Sequence, residues 1–532
     1  MAVNRIAIFF ILISNLAYGQ NRYFVSFKDK ANTPYSISNP LQFLSQKSID
    51  RRARENFSLG EEDIPVDTAY VHQVKKYGAS VFFTSRWFNG VLIQATASTV
   101  STVTTLPFVS KVELVAPGTK LLGGRKKTTD KFGRITSINA LQNQLQLAMI
   151  GLDKMQSAGY HGEGIDVAVF DAGFIGVNTL TAFQAIYQEG RLKSVFNFVN
   201  NSADVYSAYD HGTEVLSIMA GNVSNSYLGG AYKANFFLYQ TEDVSSECRV
   251  EEYNWLFAAE RADSAGVDVI NSSLGYNTFD DPTMDYTYKD LDGKTSVVSR
   301  AAHKAFERGI VVVNSAGNEG NNSWRYVDVP ADAEGVIACG AVDHLGYRSA
   351  FSSMGPSSDQ RIKPDVTALG EGSIVITSTG TTASGSGTSF SSPLIACLAI
   401  GLRQALSQAS AKEIYQRVII SASQATHPDN LLGYGIPNFS AAKDLVDFQD
   451  EFLLYPNPVH DGHLKIIFKD PNDEVFSVMI FNSAGQKIFE LSDSISWGSN
   501  PYTVDLSTLS SGLYLVKVQT PTSNKTVRIV KL

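Results

Sequence analysis

The chain has 532 residues, 44% of them hydrophobic and 18% charged, and a net charge of -8 at pH 7. That length exceeds one ordinary core, and the composition is globular, which excludes a disordered or fibrous chain. The acidic balance argues against nucleic acid as the main partner.

Residues 1–19 read as a leader. Arg5 is a minimal basic start, the apolar run over 6–13 is too short to span a bilayer, and Ala17-Tyr18-Gly19 places small residues where a signal peptidase cuts, before Gln20. No later run is long enough for a spanning helix, so a mature protein without a transmembrane segment is expected. Residues 20–118 show strands over 23–27, 80–84, 91–95 and 109–115 and helices over 41–56 and 98–106, a small α+β unit. Residues 119–139, with Gly123-Gly124-Arg125-Lys126-Lys127, read as an exposed linker open to proteolytic processing.

From 140 to 447, short apolar runs over 165–170, 235–239, 267–271, 309–314 and 335–340 alternate with helical patterns over 212–221, 251–265 and 296–308. Such runs fit strands buried on both faces, and the alternation predicts a doubly wound parallel α/β domain. Residues 452–532 shift to short alternating runs at 466–468, 476–481, 502–505, 513–518 and 526–530, which predict a β-sandwich. Of the cysteines, Cys339 and Cys397 lie in apolar runs and read as buried hydrophobes. With Cys248 the count is odd, so at least one thiol is unpaired.

Four motifs in the 140–447 region carry chemistry. Ser389 opens an apolar helix, where free N–H groups and the positive dipole end stabilise an oxyanion; alone, it is an ordinary N-cap. His211 precedes another apolar helix, as the base a serine hydroxyl needs; alone, it is a loop histidine. Asp171 ends a buried strand on the rim where parallel sheets hold ligands, placed to orient His211; alone, it is a turn residue. Asn318, in Ala316-Gly317-Asn318, offers an amide to the oxyanion; alone, it belongs to a Gly-Asn turn. Together, in the order Asp, His, Asn, Ser, the four outweigh the bland readings, and the Asp-His-Ser order is that of subtilisins.

Over this domain the sequence resembles the subtilase family. Asp171-Ala172-Gly173, His211-Gly212-Thr213, Ala316-Gly317-Asn318 and Gly387-Thr388-Ser389 with Ser391-Ser392-Pro393 are similar to its motifs, and Ser273-Leu274-Gly275 resembles the segment that pairs with substrate backbone. The resemblance implies a serine endopeptidase with the triad Asp171, His211 and Ser389. Asn318 and the Ser389 N–H would form the oxyanion hole, and Ser273, Leu274 and Gly275 would bind substrate. The sequence departs at Glu214, where a second histidine is common, and at Phe390, where methionine is.

No cofactor is required by this mechanism. The resemblance admits structural calcium, but the carboxylates of 280–292 fit no recognisable loop, and a solvated acidic face is the better reading. Glu242, Asp243, Glu247, Glu251 and Glu252 form a second acidic stretch, either a solvated loop or a preference for basic side chains in substrate.

The 20–118 unit resembles the inhibitory propeptide of subtilases, with an independent accessory domain as the alternative. Leu454-Tyr455-Pro456-Asn457-Pro458-Val459, Ser511-Gly512-Leu513-Tyr514 and the end Lys531-Leu532 resemble the sorting domain of the type IX secretion system, implying export through the periplasm and across an outer membrane. The expected partners are protein or peptide substrates and that machinery, with the enzyme itself a monomer. The rival readings are a non-catalytic surface-binding protein, against which the four intact residues argue, and a lipase or amidase, against which the 273–275 segment argues.

Overall fold

The computed structural model describes residues 20–118, 131–137, 143–445, 452–455, 457–460, 462–468, 474–495 and 501–532. The leader read over 1–19, and the linker apart from 131–137, lie outside the described residues.

The central element is a parallel sheet of seven strands. Its order is Val366–Leu369, Ile337–Val342, Val311–Ser315, Val269–Ser272, Asp166–Asp171, Asn235–Gln240, Leu192–Asn197. Val167, Ala168, Val169 and Phe170 are all fully buried, as strands covered by helices on both faces require. The chain runs from Asp166–Asp171 to one edge, returns, and resumes on the other side at Val269–Ser272. The carboxyl ends of those two adjacent strands are therefore a topological switch point, where such sheets hold ligands. The two edge strands escaped the sequence reading. Leu192–Asn197 is half-exposed over most of its length, and Val366–Leu369 is four residues long and follows Pro364.

The N-terminal unit is a four-stranded antiparallel sheet, ordered Ser80–Ser85, Gly90–Ala95, Asn21–Phe27, Val109–Ala116. Its faces separate by strand alternation. Val25 and Phe27 pack with Val74, Val91 and Val103 against the unit's own helices. Phe24, Leu92 and Val115 point the other way and join Tyr253 and Phe257 of the helix Val250–Ala265. Phe24 stacks on Tyr253 with ring centroids 4.5 Å apart. The helix read over 41–56 is shorter, Gln46–Arg54, because Ser45 caps it by accepting from Ser48 N at 3.1 Å. A second helix, Thr68–Lys76, was missed.

The described residues between 452 and 532 form three- and four-stranded antiparallel sheets around a shared core that includes Ile466, Val478 and Val516. Cys248, Cys339 and Cys397 are all buried free thiols. Among the described residues, no helix is long and apolar enough to cross a membrane.

Candidate active site

Asp171 and His211 meet at the switch point. Asp171 ends its strand fully buried, and its Oδ1 lies 2.8 Å from His211 Nδ1 while also accepting the Ala172 N–H at 2.7 Å. His211 is the first residue of the helix His211–Ala220 and is 1% exposed. Gly212 allows this approach, since a Cβ there would lie 2.8 Å from the Phe174 ring and 2.9 Å from Asp171 Cβ. The imidazole sits between Phe390 and Phe132, at 5.8 and 5.1 Å between ring centroids, and its Nε2 is buried with no hydrogen-bond partner among the described residues. Burial disfavours the imidazolium, but the charge and hydrogen bond of Asp171, with Glu214 and Asp210 behind, outweigh it and hold the pKa above the ordinary 6.5. Glu214, 6% exposed, is pushed up to about 8 by burial, against the pull of His211 and with the push of Asp210 and Asp171.

Ser389 is the second residue of the helix Thr388–Ala405, within the turn whose N–H groups have no helical acceptor. Pro393, four residues on, has no N–H to give to the Ser389 carbonyl. Ser273 Oγ supplies the missing donor at 3.0 Å and also contacts Ser392 Oγ at 3.1 Å. Ser389 Oγ in turn donates to the Ser273 carbonyl at 3.4 Å. Ser273 thus holds the Ser389 backbone with its side chain, Leu274 is buried, and Gly275 lines the adjoining pocket.

Asn318 follows the strand Val311–Ser315 on the same rim. Its Oδ1 accepts from Thr388 N at 2.9 Å and Thr388 Oγ1 at 3.1 Å, which aims Nδ2 the other way. There Nδ2 donates to the main-chain carbonyl of Lys131 at 3.3 Å. In the described part of the segment read as an exposed linker, Lys131, Phe132 and Gly133 are half-buried beside Asn318 and His211, while Arg134, Ile135 and Thr136 are exposed. Arg134–Ser137 pairs antiparallel with Thr382–Ser386, and at Gly133, with φ 79°, a Cβ would lie 2.5 Å from the Ser386 carbonyl oxygen, so the contact requires glycine there. The sequence reading missed Thr388, Lys131 and Phe132. For Thr388 the signal was its place beside Ser389; for the other two no local signal exists.

The carboxylates of 280–292 accept backbone amides, Asp280 from Glu247 N at 3.1 Å and the others from within their own loop. Asp285 takes Phe279 N at 2.7 Å, Asp290 takes Thr287 N at 2.7 Å, and Asp292 takes Thr295 N at 2.7 Å. Asp281, Asp290 and Asp292 act in this way as caps of their own turns.

A model of the subtilase family matches residues 162–435, just over half of the chain. Models of a Bacteroidota peptidase S8 propeptide domain and of a secretion system C-terminal sorting domain match residues 22–131 and 453–532. Subtilisin DY of Bacillus licheniformis is 29% identical over 291 residues, 54% of this chain and 93% of its own length. Subtilisin NAT of Bacillus subtilis subsp. natto is 30% identical over 40% of this chain and 50% of its own length. Subtilisin-like protease SBT6.1 of Arabidopsis thaliana is 27% identical over 60% of this chain and 31% of its own length. With that match and that architecture, the chain belongs to the subtilase family, as a secreted subtilisin-like serine endopeptidase bearing a propeptide domain and a secretion sorting domain.

Proposed function

We propose that Ser389 is the nucleophile of this peptidase, His211 its general base and Asp171 the group that orients the imidazole. Ser389 Oγ attacks the scissile carbonyl and passes its proton to His211 Nε2, which delivers it to the leaving amine. Water then hydrolyses the acyl-enzyme by the same route. Asn318 Nδ2 and the Ser389 N–H receive the oxyanion. Ser273 positions the nucleophile, and Leu274 and Gly275 line the substrate path. The observation that carries this reading is the buried Asp171–His211 contact of 2.8 Å, with the His211 ring 5.8 Å between centroids from Phe390, the residue that follows Ser389. The reaction needs no cofactor, because nucleophile, base and oxyanion donors all come from this chain.

In the same reading the chain is organised as a leader over 1–19, a propeptide domain over 20–118, a processed linker over 119–139, the peptidase over 140–447 and the sorting domain over 452–532. The propeptide domain blocks the cleft until processing, and the enzyme acts as a monomer at the cell surface or beyond the outer membrane, with no cation held at 280–292.

The test is labelling by a serine-directed fluorophosphonate together with casein cleavage, in the processed protein and in Ser389→Ala. Both signals vanish in the variant if the assignment holds. A processed wild-type protein that takes no label would leave a surface-binding role on a peptidase scaffold.

A further inference from the structure

Three carboxylates converge beside the active site. Glu242 and Glu247 follow the strand Asn235–Gln240, and Glu251 lies in the first turn of Val250–Ala265. All three are buried, and one oxygen of each lies within 4.8 Å of the others. Such a cluster alone would be a packing feature. Here it is filled by the ammonium of Lys131, 2.8 Å from Glu242 Oε2, in contact with Glu247 Oε1 and 3.9 Å from Glu251 Oε2. The ammonium also lies 4.8 Å from the ring centroid of Tyr276, whose hydroxyl donates to the second oxygen of Glu242. Burial works against the charge on Lys131, but the three carboxylates outweigh it and raise its pKa, so the side chain stays protonated.

The other end of the same residue supplies the second, independent observation. The carbonyl of Lys131 is the one that Asn318 Nδ2 donates to, at 3.3 Å, and the next residue, Phe132, lies against the His211 ring. Beyond it, Arg134–Ser137 continues as a strand on Thr382–Ser386, in register from Arg134 opposite Ser386 to Ser137 opposite Ala383. Residue 131 therefore has its side chain in a pocket, its carbonyl at the Asn318 amide and the side chain of the next residue against the His211 ring. The match to the propeptide family also ends at residue 131.

Building on the catalytic assignment above, we infer that the chain cuts itself between Lys131 and Phe132, and that the Glu242–Glu247–Glu251 pocket makes lysine the preferred residue before the scissile bond in other substrates. In the self-cleavage, Ser389 Oγ bonds to the Lys131 carbonyl carbon and the Lys131–Phe132 C–N bond breaks. The serine proton travels through His211 to the Phe132 nitrogen, and water then releases Lys131 as a carboxylate. The pocket sets specificity because removing one partner of a desolvated charge pair leaves the others uncompensated.

The full chain is expressed and allowed to mature, and its N-terminus is determined by intact mass and end sequencing. The mature enzyme is then offered quenched peptides that differ at one position: lysine, norleucine or glutamate. The expected N-terminus is Phe132. Norleucine, which keeps the aliphatic stem without the charge, should lower kcat/KM by about 10²- to 10³-fold against lysine, and glutamate by more. Glu247→Gln should narrow the lysine-to-norleucine ratio about tenfold or more. A fluorophosphonate-reactive enzyme that begins elsewhere, or that cuts norleucine as well as lysine, overturns this inference and leaves the triad standing. A protein that takes no label and cuts none of the peptides overturns the triad assignment and this inference with it.

Discussion

Replacing Asp263 by asparagine should loosen the propeptide unit from the peptidase by about two to three and a half orders of magnitude in Kd. Breaking a buried charge network at one member costs about 3–5 kcal/mol, and each 1.4 kcal/mol is a factor of about ten. Asp263, fully buried near the end of Val250–Ala265, receives three guanidinium groups, all from the propeptide side. Arg51 and Arg86 contact it at short range, and Arg52 lies at 2.7 Å. Arg52 also meets Asp63 at 3.2 Å, which returns to the peptidase through Arg308 at 2.8 Å. Asparagine keeps the shape and removes the charge, leaving three buried cations with one anion fewer. Burial alone would raise the Asp263 carboxyl, but Arg52, Arg86 and Arg51 outweigh it and hold it well below 3.8. A depressed carboxylate stabilises fully above its unfolded value and loses that effect as pH falls through the folded one. In the wild type this contribution is therefore flat through neutral pH and fades only in acid. The assay is the recovery of peptidase activity on dilution of the purified processed complex, repeated across pH. A change in Kd smaller than tenfold at pH 7 would show that the arginines find other partners, and the reasoning would fail.

Three further outcomes follow from the site. Asn318→Ala should lower kcat by about 10²–10³-fold with little change in KM, the range known for loss of the comparable amide in subtilisin; an effect confined to KM would assign Asn318 to binding. Asp171→Asn should cost about 10⁴ in kcat and move the acidic limb of the pH–rate profile downward, since Asp171 holds the His211 pKa above 6.5; an unmoved limb would detach that ionisation from His211. Glu214, held at about 8 by burial, binds a proton in the folded state that the unfolded chain has released above 4.5, so stability should fall by up to about 5 kcal/mol between those two values. Glu214→Gln should flatten that slope in denaturant titrations at pH 5 and pH 8.5, and equal slopes in both proteins would refute the assignment.

The four candidate site residues, Asp171, His211, Asn318 and Ser389, stood out in the sequence because each sits at a point where the backbone pattern changes: a strand end, two helix starts and a glycine turn. The fold class was legible for a related reason. Runs such as 165–170 are continuous and apolar only where both faces of a sheet are covered. The role of Ser273 was half visible. Its motif was noticed, but that its hydroxyl replaces the N–H missing at Pro393 depends on two elements more than a hundred residues apart. The acidic stretch 242–252 was the least legible. A solvated loop and a binding pocket have the same composition, and only the fold turns Glu242, Glu247 and Glu251 toward one point while Glu252 goes to the hydroxyl of Tyr286, at 2.8 Å.

Cutting after Lys131 does not by itself free the enzyme. The lysine stays on the propeptide side of the break, so the released unit holds the peptidase both through the Asp263 network and through the charge in the carboxylate pocket. Two linked contacts bind as a product of affinities scaled by effective concentration, and either alone is far weaker. Separating them requires a cut between the folded propeptide and residue 131. The sequence there contains Lys120, Lys126 and Lys127, residues of the kind the pocket accepts. A cleft filled by its own Lys131 cannot make that cut, so the cut falls to a second molecule whose cleft is already open. Activation should then be autocatalytic between molecules. The lag before full activity should shorten as protein concentration rises, and a trace of mature enzyme should abolish it. Alanine at Lys120, Lys126 and Lys127 together should lengthen the lag without altering the Phe132 N-terminus. A lag independent of concentration would place release within one molecule, driven by dissociation of the intact propeptide, and would refute the second cut.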